Sequence, residues 1–260
     1  MSICSQGNNG LIYSVLFPVK SKFPDFNRKD FQTFSRTDNN SSYSSRKWVI
    51  DTFFAAFLLV LLFPLLLFTV LLLFVLNRQV LYSKPRIGFN LKPFTILKFV
   101  TMSPNSHNMT YGTMTIGNDP RITPIGRILR KFKIDELPQL WNVFKGNMSF
   151  VGPRPLDKSE FDCYPQHIKD IIYTVKPGIT GVGSIVFRNE DKILSDPTVS
   201  PISLYKQKIA PHKGELELWY LENQSFYVDF MILLLTGLAI FVPNNQLIYR
   251  VFPSLPVKPF

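Results

Sequence analysis

The densest chemistry in the chain lies in Arg130-Lys131-Phe132-Lys133-Ile134-Asp135-Glu136-Leu137-Pro138, where two adjacent carboxylates follow a run of cations. Two readings compete for that pair. Asp135 can cap a helix, and acids in a first helical turn suit the positive end of its dipole. A carboxylate beside cations, its basicity protected by a neighbouring acid, can instead act as a nucleophile on phosphorus whose charge those cations offset. Taken alone, the segment favours the cap.

Ser149-Phe150-Val151-Gly152-Pro153-Arg154-Pro155 is the second candidate. Prolines on both sides restrict the backbone at Arg154, so its guanidinium can be presented to an anion at little ordering cost; a turn with a solvated Arg is the plain alternative. The third is Val175-Lys176-Pro177-Gly178-Ile179-Thr180-Gly181. Its glycines allow a backbone to approach a ligand closely, and an ordinary turn explains them equally well. No P-loop, dinucleotide fingerprint or histidine-based hydrolase motif is present. With three histidines and two cysteines, Cys4 and Cys163, neither a zinc site nor a disulfide scaffold is expected.

Several elements must position these groups. A short strand is expected within 94–101, and a helix over 124–133 with Ile125, Ile128, Leu129 and Phe132 on one face. A further helix starts near Asp135, where Leu137, Leu140, Trp141 and Phe144 recur at helical spacing, and Gly146 stops it. Helices are also expected over 158–173 and 203–224, giving an α-rich α/β domain with small strand content. The apolar run 230–242 is too short to span a bilayer and reads as an interfacial or half-buried helix, with a core helix as the alternative.

Residues 53–76 form a continuous apolar run in which only Thr69 is mildly polar. Pro64 divides it into two halves, each too short to cross about 30 Å of hydrocarbon. Arg46 and Lys47 precede the run while Arg78, Lys84 and Arg86 follow it, so the positive-inside rule holds both ends on the cytoplasmic side. A helix that enters, bends at Pro64 and returns satisfies both facts; a kinked single-pass helix stands beside it. The expected organisation is a poorly ordered extension over 1–45, a re-entrant membrane helix over 46–78, a cytoplasmic catalytic domain over 79–223 and an interfacial helix and tail over 224–260.

At 260 residues and 46% hydrophobic content, the chain can build a real core, which excludes a wholly disordered protein. The net charge of +11 points to an anionic partner. Between Lys84 and Lys133 there are nine bases and one acid, Asp119. Nucleic acid is not the expected anion, because that segment carries no recognisable motif and follows directly on a membrane helix.

In order and spacing these segments resemble the bacterial sugar transferase family, the monotopic phosphoglycosyl transferases. The resemblance runs from about Arg46 to Val242. It begins with Lys47 and Asp51 before the Pro-broken helix and continues through Arg86-Ile87-Gly88, Lys92-Pro93-Phe94, Lys98-Phe99, Asn118-Asp119-Pro120-Arg121-Ile122-Thr123 and Gly126-Arg127. It closes with Asp135-Glu136-Leu137-Pro138-Gln139-Leu140, Asn142-Val143, Lys145-Gly146 and the two Pro/Gly segments. The resemblance implies that Asp135 is the nucleophile and that Glu136 completes a dyad holding magnesium. It also implies that Arg130, Arg154 and Arg188 contact phosphate or substrate. The implied reaction passes a sugar phosphate from a UDP-sugar to polyprenyl phosphate at the cytoplasmic face of the inner membrane, releasing UMP, and is compatible with a homo-oligomer.

Some positions depart from that pattern. Trp48 stands where a second base usually follows the lysine, Phe63 where a small polar residue precedes the proline, and Val100 where Arg or Lys is frequent. The stretch Val182-Gly183-Ser184-Ile185-Val186-Phe187 lacks the usual Ala-Gln and Asn-Gly pairs while retaining Arg188. Two other functions compete: a basic membrane-surface scaffold whose dyad is only a cap, and a conventional glycosyltransferase, which would release UDP.

Overall fold

The computed structural model describes residues 38–77, 79–103, 117, 119–195, 199–242 and 246–257. Cys4, Arg78, Asn118 and residues 1–37 of the expected N-terminal extension lie outside them. Helix α1 spans Asp38–Leu61 and α2 spans Phe63–Asn77. α1 thus begins inside the stretch expected to lack structure. The reason is a distant anchor, since Tyr43 donates to Asp229 at 2.7 Å.

The apolar parts of α1 and α2 meet at 62°. Pro64 explains the bend, because it has no N–H for the carbonyl one turn earlier and its ring crowds that carbonyl. Among the described residues no single helix is long and apolar enough to cross a membrane, and only this bent pair reaches that length and composition jointly. Both limbs lean on the same body. Ala55 packs with Ile96, Val143 and Met148, and Leu73 with Phe99 and Leu129. The other faces are apolar yet bare, with Phe53, Phe57, Phe68 and Phe74 exposed.

Strand β1, Leu81–Ile87, pairs antiparallel with β2, Pro93–Phe99, placing Leu81 opposite Phe99 and Ile87 opposite Pro93. The spacing predicts β2, whereas β1 is hidden by Pro85 and by its charged alternation. A two-stranded ribbon is all edge, so a strand proline is tolerated. Strands β3, Ser149–Val151, and β4, Gly178–Thr180, form a short parallel pair that the sequence pattern does not announce. Each is too short to show a period.

Helix α3 covers Pro124–Lys131 and is capped by Thr123, whose side chain accepts from the Gly126 N–H. Its expected apolar face is only partly internal, for Leu129 is buried while Ile128 and Phe132 are exposed. The next helix, α4, starts at Gln139 rather than near Asp135 and ends at Phe144. Its buried face is Gln139, Leu140, Asn142 and Val143, so the stripe read from Leu137, Leu140, Trp141 and Phe144 is rotated toward solvent. Periodicity cannot tell a face turned to a core from one turned to some other apolar surface.

Proline also corrects the expected helix over 158–173, which divides into α5, Lys158–Asp162, and α6, Gln166–Lys169, on either side of Pro165. Short helices α7, Val182–Val186, and α8, Glu190–Ile193, follow β4. Next come α9, Pro201–Leu204, a π-helical turn over Tyr205–Ile209, and α10, Ala210–Asn223. Helix α11, Phe226–Phe241, is half internal, with Val228, Ile232 and Leu235 buried and Phe230, Leu234 and Phe241 exposed. Helix α12, Leu247–Val251, places Ile248 in the same core as Val151, Ile168, Ile209 and Leu216. The molecule is helix-rich with few strands, in line with the α-rich α/β expectation.

Candidate active site

Asp135 and Glu136 lie in a 3₁₀ turn, Ile134–Glu136, and not at the head of α4. No side chain of the turn caps a helix there, which removes the capping explanation for Asp135. The chain enters the turn through Lys133 at φ 59°, a left-handed conformation that costs a non-glycine residue on the order of 1 kcal/mol. Both carboxylates consequently point inward and are at most 9% exposed.

Their surroundings differ. Glu136 Oε1 accepts from Lys98 Nζ at 2.8 Å, and Lys133 Nζ is 3.9 Å from Oε2. Burial would raise its pKa, but Lys98, Lys133 and Arg154 together hold it well below the ordinary carboxylate range. Asp135 Oδ1 is buried without any hydrogen-bond partner. Burial, and then the neighbouring Glu136 charge, raise its pKa against the pull of Lys98, Lys133 and Arg130. One acid is saturated with cations while its neighbour keeps an unspent lone pair.

Lys98 is the site residue that reading for chemistry missed, although it belongs to the segment Lys98-Phe99. It comes from β2, and Asn142 sets that strand against α4 by accepting from the Leu97 N–H at 3.1 Å and donating to the Thr95 carbonyl at 2.7 Å. Arg130 is placed by a tight helix-to-backbone contact, since a Cβ on Gly126 would sit 2.1 Å from the Thr101 carbonyl oxygen. One turn later Arg130 Nε donates to Thr101 Oγ1 at 2.9 Å. Asp119, the one acid of the basic segment, is occupied by Arg121, with Nη2 to Oδ2 at 2.6 Å. Arg86 is likewise engaged, by Glu160 at 2.9 Å and Asp157 at 3.3 Å.

The β3–β4 pair brings the two Pro/Gly segments together. A Cβ on Gly178 would lie 2.2 Å from the Gly152 nitrogen, so the glycines answer to backbone packed on backbone, not to a ligand. The Arg154 carbonyl accepts from Tyr173 Oη at 2.7 Å, and its side chain reaches out exposed.

Two cavities meet here. A small polar one is lined by Arg86, Lys98, Glu136, Gln139, Arg154 and Glu160, with Ile96 and Ile179. A larger one, about 250 Å³, has apolar walls from α1 (Leu58, Leu62) and α11 (Ala239, Ile240). Lys133, Glu136, Arg154 and Arg188 form its polar end. Glu136 and Arg154 line both. Asp135, the covalent neighbour of Glu136, and Arg130 line neither, while Arg188 joins the site only through the larger cavity. Among the described residues no cluster of three or more His, Cys, Asp or Glu side chains could hold a metal ion. Two adjacent carboxylates, one with an unpartnered oxygen, still fit magnesium, which commonly takes one or two carboxylates and completes its shell with water and substrate phosphate.

The family model described as bacterial sugar transferase matches residues 42–243. The chain is 37% identical over 200 residues to the uncharacterized sugar transferase EpsL of Bacillus subtilis (strain 168), covering 76% of this chain and 89% of that protein. It is 34% identical over 203 residues to the UDP-glucose:undecaprenyl-phosphate glucose-1-phosphate transferase of Caulobacter vibrioides, covering 77% and 71%. Against the UDP-galactose-lipid carrier transferase of Erwinia amylovora it is 34% identical over 221 residues, spanning 77% of this chain but 42% of the longer relative. A match over most of the chain, including the carboxylate turn and both Pro/Gly segments, makes this protein a member of the bacterial sugar transferase family.

Proposed function

We propose that the protein is an enzyme that transfers a sugar 1-phosphate from a UDP-sugar to polyprenyl phosphate, releasing UMP through a phosphosugar ester on Asp135. The observation that carries this reading is the buried Asp135 oxygen without a partner, set among Lys98, Lys133 and Arg130 and next in the chain to Glu136, which lines both the polar and the apolar cavity. A buried acceptor left unpaired is costly unless a ligand uses it.

In the first half-reaction an Asp135 oxygen attacks the sugar-bearing phosphorus. The bond from that phosphorus to the bridging oxygen breaks, and UMP leaves with the electron pair. Lys98 and Arg154 line the polar cavity and offset the diphosphate charge, which otherwise repels a carboxylate. Glu136, kept ionised by its cations, preserves negative charge beside Asp135. In the second half-reaction an oxygen of the lipid phosphate attacks the same phosphorus and Asp135 departs as carboxylate. Lys98, Lys133 and Arg130 oppose the burial and the Glu136 charge that raise the Asp135 pKa, favouring the carboxylate that attacks and later departs.

Asp135 and Glu136 are the groups that would hold magnesium, which when bound supplies further neutralisation of the diphosphate. The apolar cavity, walled by the bent α1 and by α11 and ending at Arg154 and Arg188, suits a polyprenyl chain carrying one phosphate. With α1 and α2 as a re-entrant anchor, the site lies near the headgroup plane on the cytoplasmic face of the inner membrane. The product would begin assembly of a lipid-linked surface glycan.

The test is to incubate the detergent-solubilised protein and its Asp135→Asn variant with a panel of UDP-sugars and no lipid. A stoichiometric burst of UMP and a protein heavier by one phosphosugar are expected from the wild type, and neither from the variant. UDP as the nucleotide product would establish transfer at the anomeric carbon instead. UMP formed only after lipid is added would make Asp135 a base in direct transfer.

A further inference from the structure

Helix α10 carries a buried carboxylate that the reaction above does not use. Glu217 is 3% exposed, and its Oε2 has no hydrogen-bond partner. The backbone N–H groups of Arg154 and Gly183, in the Pro153–Pro155 turn and at the start of α7, favour the ionised form of this carboxyl. Space for the carboxyl exists because residue 183 has no side chain, as a Cβ there would meet Glu217 Oε1 at 2.6 Å. One turn along α10, Tyr220 Oη lies 3.2 Å from the Val151 carbonyl oxygen, just ahead of the same turn. The Arg154 carbonyl is held by Tyr173, so both backbone polar groups of Arg154 face buried side chains.

We infer that Glu217 is a positioning residue, fixing the backbone of Arg154 so that the exposed guanidinium stands at the wall shared by the two cavities. This deepens the transferase reading and rests on it. An arginine between two prolines has few backbone states, and an acceptor beneath its N–H selects among them. The same carboxyl addresses the start of α7, the helix followed by Arg188, so one buried group ties together the segments bearing both of the cavity's arginines. Burial pushes the Glu217 carboxyl up to about 8, against the opposing N–H of Arg154 and the charge of Lys213. At neutral pH it therefore carries a proton, and glutamine reproduces its shape and its accepting oxygen.

Three variants test the assignment: Glu217→Gln, Glu217→Leu and Gly183→Ala, the last pushing the carboxyl from its place without altering it. The first readout is hydrogen exchange by mass spectrometry in the full-length protein, which needs no turnover. Glu217→Leu and Gly183→Ala should speed exchange at least tenfold in peptides covering 150–156 and 181–186, with Glu217→Gln close to wild type. The second readout is UMP release from the UDP-sugar. There kcat should fall at least tenfold in the Leu and Ala variants with donor KM within about threefold, and Glu217→Gln should keep at least half of wild-type kcat. Unchanged exchange in both peptides, or wild-type kcat in a folded Glu217→Leu protein, overturns the assignment. So does equal damage from Gln and Leu. If the wild type itself releases no UMP from any UDP-sugar, the transferase reading has failed, and the exchange arm still decides whether Glu217 anchors the Arg154 turn.

Discussion

Among the described residues, two clusters of buried carboxylates are built on opposite plans. In the first, Asp229 of α11 accepts from Tyr220 at 2.8 Å, from Tyr43 at 2.7 Å and from Lys47. Asp51 accepts from Ser149 at 2.6 Å and lies 3.6 Å from Lys47. The cluster joins α1 to α10, α11 and the start of β3, and both oxygens of Asp229 are hydrogen-bonded. In the second, the Asp135–Glu136 turn, cations also crowd the acids, yet Asp135 Oδ1 has no partner. A closed network spends its hydrogen-bonding capacity on holding elements together, whereas an open one keeps capacity for a ligand. Residue types alone would not separate them, since each holds two carboxylates and at least one lysine.

The contrast is broken most directly by exchanging acid for amide in each cluster. Asp135→Asn should reduce donor-dependent UMP release by at least a thousandfold, measured as burst amplitude and rate, while leaving the denaturation midpoint unchanged or raised. The amide lacks the nucleophilic charge and the cost of burying it. Asp229→Ala should do the reverse, lowering folding stability by about 2 to 4 kcal/mol, because it leaves the Tyr43 and Tyr220 hydroxyls without their acceptor and Lys47 with only the longer contact to Asp51. Denaturant unfolding measures that loss. Comparable activity losses with intact folding in both variants would erase the distinction.

A smaller effect sharpens it. Arg154→Ala and Arg130→Ala should each slow the burst by roughly ten- to a hundredfold, as expected for a charge-assisted contact worth about 1.5 to 3 kcal/mol. Stopped-flow or quenched single turnover with donor alone measures the change, and neither variant should alter unfolding as Asp229→Ala does.

The last prediction concerns pH and Glu217, which belongs to neither cluster. It faces Lys213 on its own helix, Arg154 and the Gly183 N–H from other segments, and Tyr164 and Tyr173 across the core. Its carboxyl titrates near 4.5 when unfolded and is pushed up to about 8 when folded. The stability it confers is therefore complete below pH 4.5 and is lost progressively as pH rises toward 8. Glu217→Gln should flatten that part of the profile, so the gap between variant and wild type in chemical unfolding widens from pH 5 to pH 8. A gap that stays constant would mean that Glu217 is already ionised in the folded protein.

Much of the site was legible in the linear chain. Asp135 and Glu136 stand beside Arg130, Lys131 and Lys133 in any conformation the chain adopts, and Arg154 is confined by its flanking prolines. The bend at Pro64 follows from a missing N–H and an apolar run of fixed length. These are local properties, carried by covalent neighbours. Lys98 is not local: it reaches Glu136 only because Asn142 bonds the edge of β2, and nothing in the spacing of either residue announces that contact. Nor does the sequence say that Asp229 is saturated and Asp135 is not, or that Gly183 makes room for Glu217. Whether a buried acid is paired depends on which groups converge on it from other elements, and that convergence is decided by packing. Composition and motif pointed to the candidate residues, and the tertiary structure determined which of their lone pairs remain unspent.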